Sequence, residues 1–76
     1  MKLAEQFKPG GIVELTTASG ERLQIGGAGE THKLEKVDDV EHVLHLLTLI
    51  PAGRQKGKKA RVLVPYSGIT NVTVVL

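Results

Sequence analysis

Asp38-Asp39-Val40-Glu41-His42-Val43-Leu44-His45-Leu46-Leu47-Thr48-Leu49-Ile50 is the stretch on which the fold turns. Val40, Val43, Leu44, Leu47 and Ile50 recur at helical spacing, and Asp38 or Asp39 would cap a helix starting there. Leu46 and Leu49 fall off that stripe. Two alternating sets, Val43, His45, Leu47, Leu49 and Leu44, Leu46, Thr48, Ile50, suit a strand covered on both faces. The strand is the preferred reading. A helix at 39–50 stays open as the alternative and would make the chain α+β.

Upstream, Met1 to Lys8 is mildly amphipathic through Leu3, Ala4 and Phe7, and stops at Pro9-Gly10-Gly11, which predicts one or two helical turns. Ile12, Val13 and Leu15, the turn Ala18-Ser19-Gly20-Glu21, then Leu23 and Ile25 read as a hairpin. Gly26-Gly27-Ala28-Gly29 interrupts its second strand as a bulge or sharp bend, after which the strand resumes through His32, Leu34 and Val37. Downstream, Ala60 to Tyr66 reads as a strand, Pro65 to Gly68 as a tight turn, and Ile69 to Leu76 as a strand rich in Val and Thr. Asn71 to Leu76 has no charge and no proline, so its edge must be paired or closed, within a small barrel or between subunits.

Between the two apolar runs lies Arg54-Gln55-Lys56-Gly57-Lys58-Lys59-Ala60-Arg61, with five cations in eight residues and no acid. Residues 1–53 hold five Lys/Arg against all eight Asp/Glu, so the net charge of +2 is the sum of −3 there and +5 here. A local excess of this kind is a candidate polyanion site. The 76 residues make one domain, 1–76. A chain of that size buries only about 60% of its unfolded surface. Without Cys, disulfides and thiolate metal sites are excluded as reinforcement, which favours self-association. No apolar run approaches the roughly 20 residues needed to span a bilayer; a soluble, cytoplasmic protein with no membrane partner is expected.

The order of elements resembles the Sm-like family, including its bacterial RNA-chaperone branch. Gly11-Ile12-Val13-Glu14-Leu15 with Ser19-Gly20-Glu21 is similar to the first strand and turn of the family's first motif, and Asp38 or Asp39 precedes an apolar strand as that motif requires. Val64-Pro65-Tyr66-Ser67-Gly68-Ile69-Thr70-Asn71-Val72 looks like the second motif in its bacterial form. The resemblance implies a short N-terminal helix, five bent strands in a small barrel of Sm-like or SH3-like type, and ring assembly through the last two strands. The chain departs from the pattern in its last turn. Tyr66-Ser67 stands where Arg-Gly or Lys-His is usual, and no residue is placed at the base-contacting Asn of the first motif. The resemblance therefore implies the fold and the ring but not uridine-specific recognition.

Arg54, Lys56, Lys58, Lys59 and Arg61 are the candidate phosphate-binding residues, against the plain reading of a solvated loop. Tyr66 is a candidate base-stacking residue, with Ser67 and Asn71 as base-edge contacts, against a barrel-capping tyrosine and two ordinary turn residues. His42 and His45 would share a face only on a helix, and no third ligand supports a metal. Gly26 to Lys33 is not a phosphate-binding loop, because Glu30 stands where phosphate would sit and the Gly-Lys-Ser/Thr ending is missing. No Cys nucleophile and no paired carboxylates mark a catalytic site, so no enzyme activity, cofactor or metal is expected. The sequence thus predicts an all-β, noncatalytic nucleic-acid-binding protein, RNA before DNA. It would act as a homo-oligomeric ring of five to seven subunits on single-stranded RNA or DNA. The alternative is a protein-interaction module that adds its C-terminal strand to a partner's sheet.

Overall fold

The structure, a computed structural model, describes residues 3–7 and 10–75. Six strands form two three-stranded antiparallel sheets: β1 (Ile12–Thr17), β2 (Arg22–Ile25) and β6 (Ile69–Val75) in the order β2-β1-β6, and β3 (Lys33–Asp38), β4 (Val43–Leu49) and β5 (Lys59–Pro65) in the order β3-β4-β5. The chain is all-β, as read. It differs from the expected barrel in two respects. The expected second strand is divided at the glycine run into β2 and β3, which makes six strand segments rather than five, and among the described residues the sheets do not close. The α+β alternative is also corrected. Residues 38–42 turn and 43–49 form a strand, because Leu44 and Leu46 are needed on the core face while Val43, His45 and Leu47 face outward. Of the expected N-terminal helix, Leu3–Gln6 forms a 3₁₀ turn; Met1, Lys2 and Lys8 lie outside the described residues, as does Leu76 of the last strand.

β1 and β2 pair from Val13↔Ile25 to Thr16↔Arg22 around a turn closed by Gly20 at φ +88°. The Thr17 hydroxyl accepts the Glu21 N–H (3.2 Å), and the Thr17 N–H donates to the Glu21 carbonyl (2.9 Å), which fixes the register of the hairpin. Val13, Leu15, Leu23 and Ile25 thereby point inward. They meet Leu44, Leu46 and Val64 from the other sheet, and these seven side chains are the buried core.

The glycine run connects the sheets. The N–H groups of Thr31 and His32 both donate to the Gln24 carbonyl, at 2.9 and 3.1 Å, so β3 resumes where β2 left off and residues 26–30 are extruded as a loop. The Thr31 hydroxyl accepts the Gln24 N–H at 2.9 Å. β2 and β3 are in effect one bent strand shared by both sheets. On the opposite side β5 and β6 are joined only by the 3₁₀ turn Tyr66–Gly68. Each is the outer strand of its own sheet. No described helix is long and apolar enough to cross a membrane.

The bend depends on Gly26, at φ +87°, where a methyl group would strike the Gly11 carbonyl oxygen. Gly53, at φ +88°, faces open space. Gly26→Ala should therefore cost about 2–4 kcal/mol, from backbone strain plus the clash, and Gly53→Ala only about 1–2 kcal/mol. Urea unfolding of both variants checks this, and equal losses would show that the approach of Gly26 to Gly11 does not constrain the bend.

Candidate nucleic-acid interface

The β4–β5 hairpin displays the cations. Its connection folds back on itself. The Ile50 N–H donates to the Lys58 carbonyl and the Gly57 N–H to the Ile50 carbonyl, both at 2.9 Å, and Gly53 and Gly57 take positive φ to allow it. Everything from Pro51 to Lys59 is exposed. Arg54, Lys56, Lys58 and Lys59 have no ion pair among the described residues. Arg61 is different. It reaches across β4 to Glu35, with Nε–Oε1 at 2.7 Å and Nη2–Oε2 at 3.2 Å, a two-point contact that neutralises it locally. The structure thus offers four of the five expected phosphate ligands and engages the fifth with Glu35.

Tyr66 lies at the other end of the same hairpin. Val43 pairs with Pro65 at one end and Leu49 with Lys59 at the other. At about 3.3 Å per residue, those six steps put Pro65 about 20 Å from Lys59, and Tyr66 follows Pro65 at that end. Its backbone N–H donates to the His42 carbonyl (2.8 Å), its ring stacks on His42 with centroids 5.5 Å apart, and its hydroxyl donates to Asp39 Oδ1 at 2.6 Å. Asp39 Oδ2 also accepts the Ala4 N–H (3.3 Å), which ties the N-terminal turn to this end. Partial burial pushes the Tyr66 phenol above the ordinary tyrosine range, and the hydrogen bond to Asp39 and the charges of Asp39 and Asp38 push it further.

Asp38 shapes the turn beneath. Its Oδ1 accepts the N–H groups of Glu41 (2.9 Å) and Val40 (3.1 Å). The Glu41 hydrogen bond is the largest influence holding its carboxyl below the ordinary value, partly offset by desolvation and aided by Val40, Lys36 and His45. His42, at φ +57°, is the only described non-glycine residue with positive φ and closes this turn.

The three expected base contacts do not form one surface. Ser67 is exposed on the 3₁₀ turn beside Tyr66. Asn71 lies opposite Thr16 on the outer face of the other sheet, where its amide donates to the Thr73 hydroxyl (3.2 Å). Sequence reasoning missed Asp39 and His42 as partners of Tyr66, since each contact forms only once β3, β4 and β5 are aligned. His42 lies in the turn and His45 on β4, and among the described residues no group of three or more His, Asp or Glu side chains is placed to hold a cation.

Comparison of the chain with protein-family models, with curated proteins and with solved structures finds no match. The functional reading accordingly rests on the residues themselves.

Tyr66 is the sole tyrosine, so phenolate absorbance reports it alone. The native chain holds the phenolic proton more tightly than the unfolded chain. This contribution to stability is therefore complete below about pH 10 and is lost as the pH climbs through the native value. A native titration midpoint above that of the urea-unfolded chain is expected, and Asp39→Asn should lower it. Coincident midpoints would remove the Tyr66–Asp39 contact as a determinant. Asp38, with its lowered carboxyl, acts in the opposite sense. Its contribution is present above the ordinary carboxylate range and is lost as the pH falls through the native value.

Proposed function

We propose that this chain is a noncatalytic nucleic-acid-binding protein of the Sm-like type, binding RNA before DNA and working as a homo-oligomeric ring. The observation that carries the reading is the display of Arg54, Lys56, Lys58 and Lys59, exposed and without acidic partners among the described residues, on one short hairpin. Four such cations attract a phosphate backbone through counterion release and carry no sequence preference of their own.

The strand edges support the ring. β2 and β3 are joined through Gln24, Thr31 and His32, whereas β5 and β6 each leave an outer edge without a strand from the described chain. Open edges of this kind are templates for pairing, and head-to-tail addition of β5 to the neighbour's β6 consumes both at once. Direction then fixes the geometry. β5 runs toward the 3₁₀ turn and β6 away from it, so antiparallel pairing sets every 3₁₀ turn at one end of the assembly and every basic hairpin at the other. Repeated cations along one rim would serve a single strand better than one isolated hairpin does.

A second reading, sheet addition to a different protein, is favoured by the uncharged β6 edge from Ile69 to Val75. The cations separate the two. The purified chain should run as a closed oligomer, on the order of five to seven subunits. Replacing Lys56, Lys58 and Lys59 together by Ala should weaken binding of all single-stranded sequences and reduce the log–log salt slope by about two to three. A monomer would remove the ring, and an unchanged slope would remove the phosphate role.

A further inference from the structure

We propose that a groove beside the basic hairpin is the base-reading subsite of this interface. In this assignment the groove takes one nucleotide of a single strand, with the base on Leu47 and Leu49 and the phosphate at Lys59, and Glu30 selects bases that carry an amino group. The proposal rests on the nucleic-acid reading above and goes beyond it by naming where, and which, bases are read.

The strand register builds the site. Leu47 pairs with Lys33 on one side and Arg61 on the other, and Leu49 pairs with Lys59, so these side chains share the outer face of the β3-β4-β5 sheet. The groove encloses about 430 Å³ and is bounded by Glu30, His32, Lys33, Leu47, Leu49 and Lys59. That lies within the range of small-ligand sites. Leu49 is 59% exposed, an apolar floor at a place where strands ordinarily present polar groups to water. His32 is oriented by its Nδ1, 2.8 Å from the Thr31 hydroxyl.

The charge pattern gives the occupant a direction. Lys59 has no acidic partner among the described residues and continues into Lys58 and Lys56, so a phosphate belongs at that end. Glu30 stands on the β3 side, 4.0 Å from the Lys33 ammonium, whose charge it offsets, so the unpaired positive charge of the groove is confined to the Lys59 side. An apolar floor with cations at one end and an acceptor at the other matches a nucleotide laid with its base toward Glu30. A carboxylate only accepts hydrogen bonds. Cytosine offers its amino group to such an acceptor, whereas uracil presents a carbonyl oxygen at the same position. Tyr66 is a poorer base platform: one ring face is covered by His42, its hydroxyl is engaged by Asp39, and the free cations lie at the far end of the hairpin.

The test uses the 76-residue chain and two labelled oligoribonucleotides of equal length, oligocytidine and oligouridine, whose bases match in size. Fluorescence anisotropy across a salt series should show oligocytidine binding roughly tenfold more tightly. Glu30→Gln should abolish most of that preference and leave the salt slope unchanged. Leu49→Ser should weaken both ligands, again at an unchanged slope. Both positions are exposed, and thermal melts of the variants confirm that the fold is intact. Equal affinities, or a preference that survives Glu30→Gln, would overturn the groove while salt-dependent binding still stood. No salt-dependent binding of either strand would overturn the parent reading and the groove with it.

Discussion

The contact of Leu44 and Leu46 on β4 with Leu15 on β1 holds the two sheets face to face. All three side chains are fully buried, and they sit where the sheets would otherwise part. Burying a leucine contributes about 1.5–3 kcal/mol. A core of seven buried residues leaves a 76-residue chain little surplus. The 3₁₀ turns, the glycine bend and the three hairpins are arranged around keeping those three leucines opposed. Half-buried Phe7, Val62 and Tyr66 pack against the edge of the same cluster and extend it.

A small core also explains why the sheets join along one side only. One bent strand, kinked through Gly26 and Gly27, serves both sheets and spares the chain a second connection there. At the other side β5 and β6 diverge from the Tyr66–Gly68 turn. The chain keeps its core and leaves two edges. Leu63 on β5 (55% exposed) and Val75 on β6 (46% exposed) add apolar surface to those edges. The edge residues are mostly Val, Leu and Thr, and Lys59, Arg61 and Pro65 on β5 discourage indiscriminate pairing.

Much of this was legible in the sequence because it depends on near neighbours. Val13 and Leu15 against Leu23 and Ile25 announce a hairpin, the glycines announce the bend, and Leu46 and Leu49 argue for a strand at 43–49. The strand count was not legible, since a bent strand with an extruded loop reads as one interrupted run. Nor were the long-range pairs. Arg61 finds Glu35 only across β4, 26 residues back, and Tyr66 finds Asp39 27 residues back. The groove was hidden for the same reason, because Glu30 and Lys59 belong to different elements. The separation of Tyr66 from the cations did have a signal. Once 43–49 and 59–65 are strands of equal length joined at 50–58, a residue following the second strand must lie at the far end.

That separation has an electrostatic consequence. Asp38, Asp39 and Glu41 cluster in the turn at one end of the β4–β5 hairpin, and Arg54, Lys56, Lys58 and Lys59 at the other. Screening in physiological salt decays over about 8 Å. Across about 20 Å of hairpin the acidic turn therefore cannot cancel the cations. Each end presents its own sign to solvent although the chain's net charge is only +2. Antiparallel β5–β6 pairing between subunits would add these fields, acid with acid and base with base. The repulsion between like ends opposes closure, so the strand pairing must outweigh it, and a polyanion on the basic rim would relieve half of it. On the proposed ring, assembly and anion binding would be coupled: salt would weaken the second and ease the first.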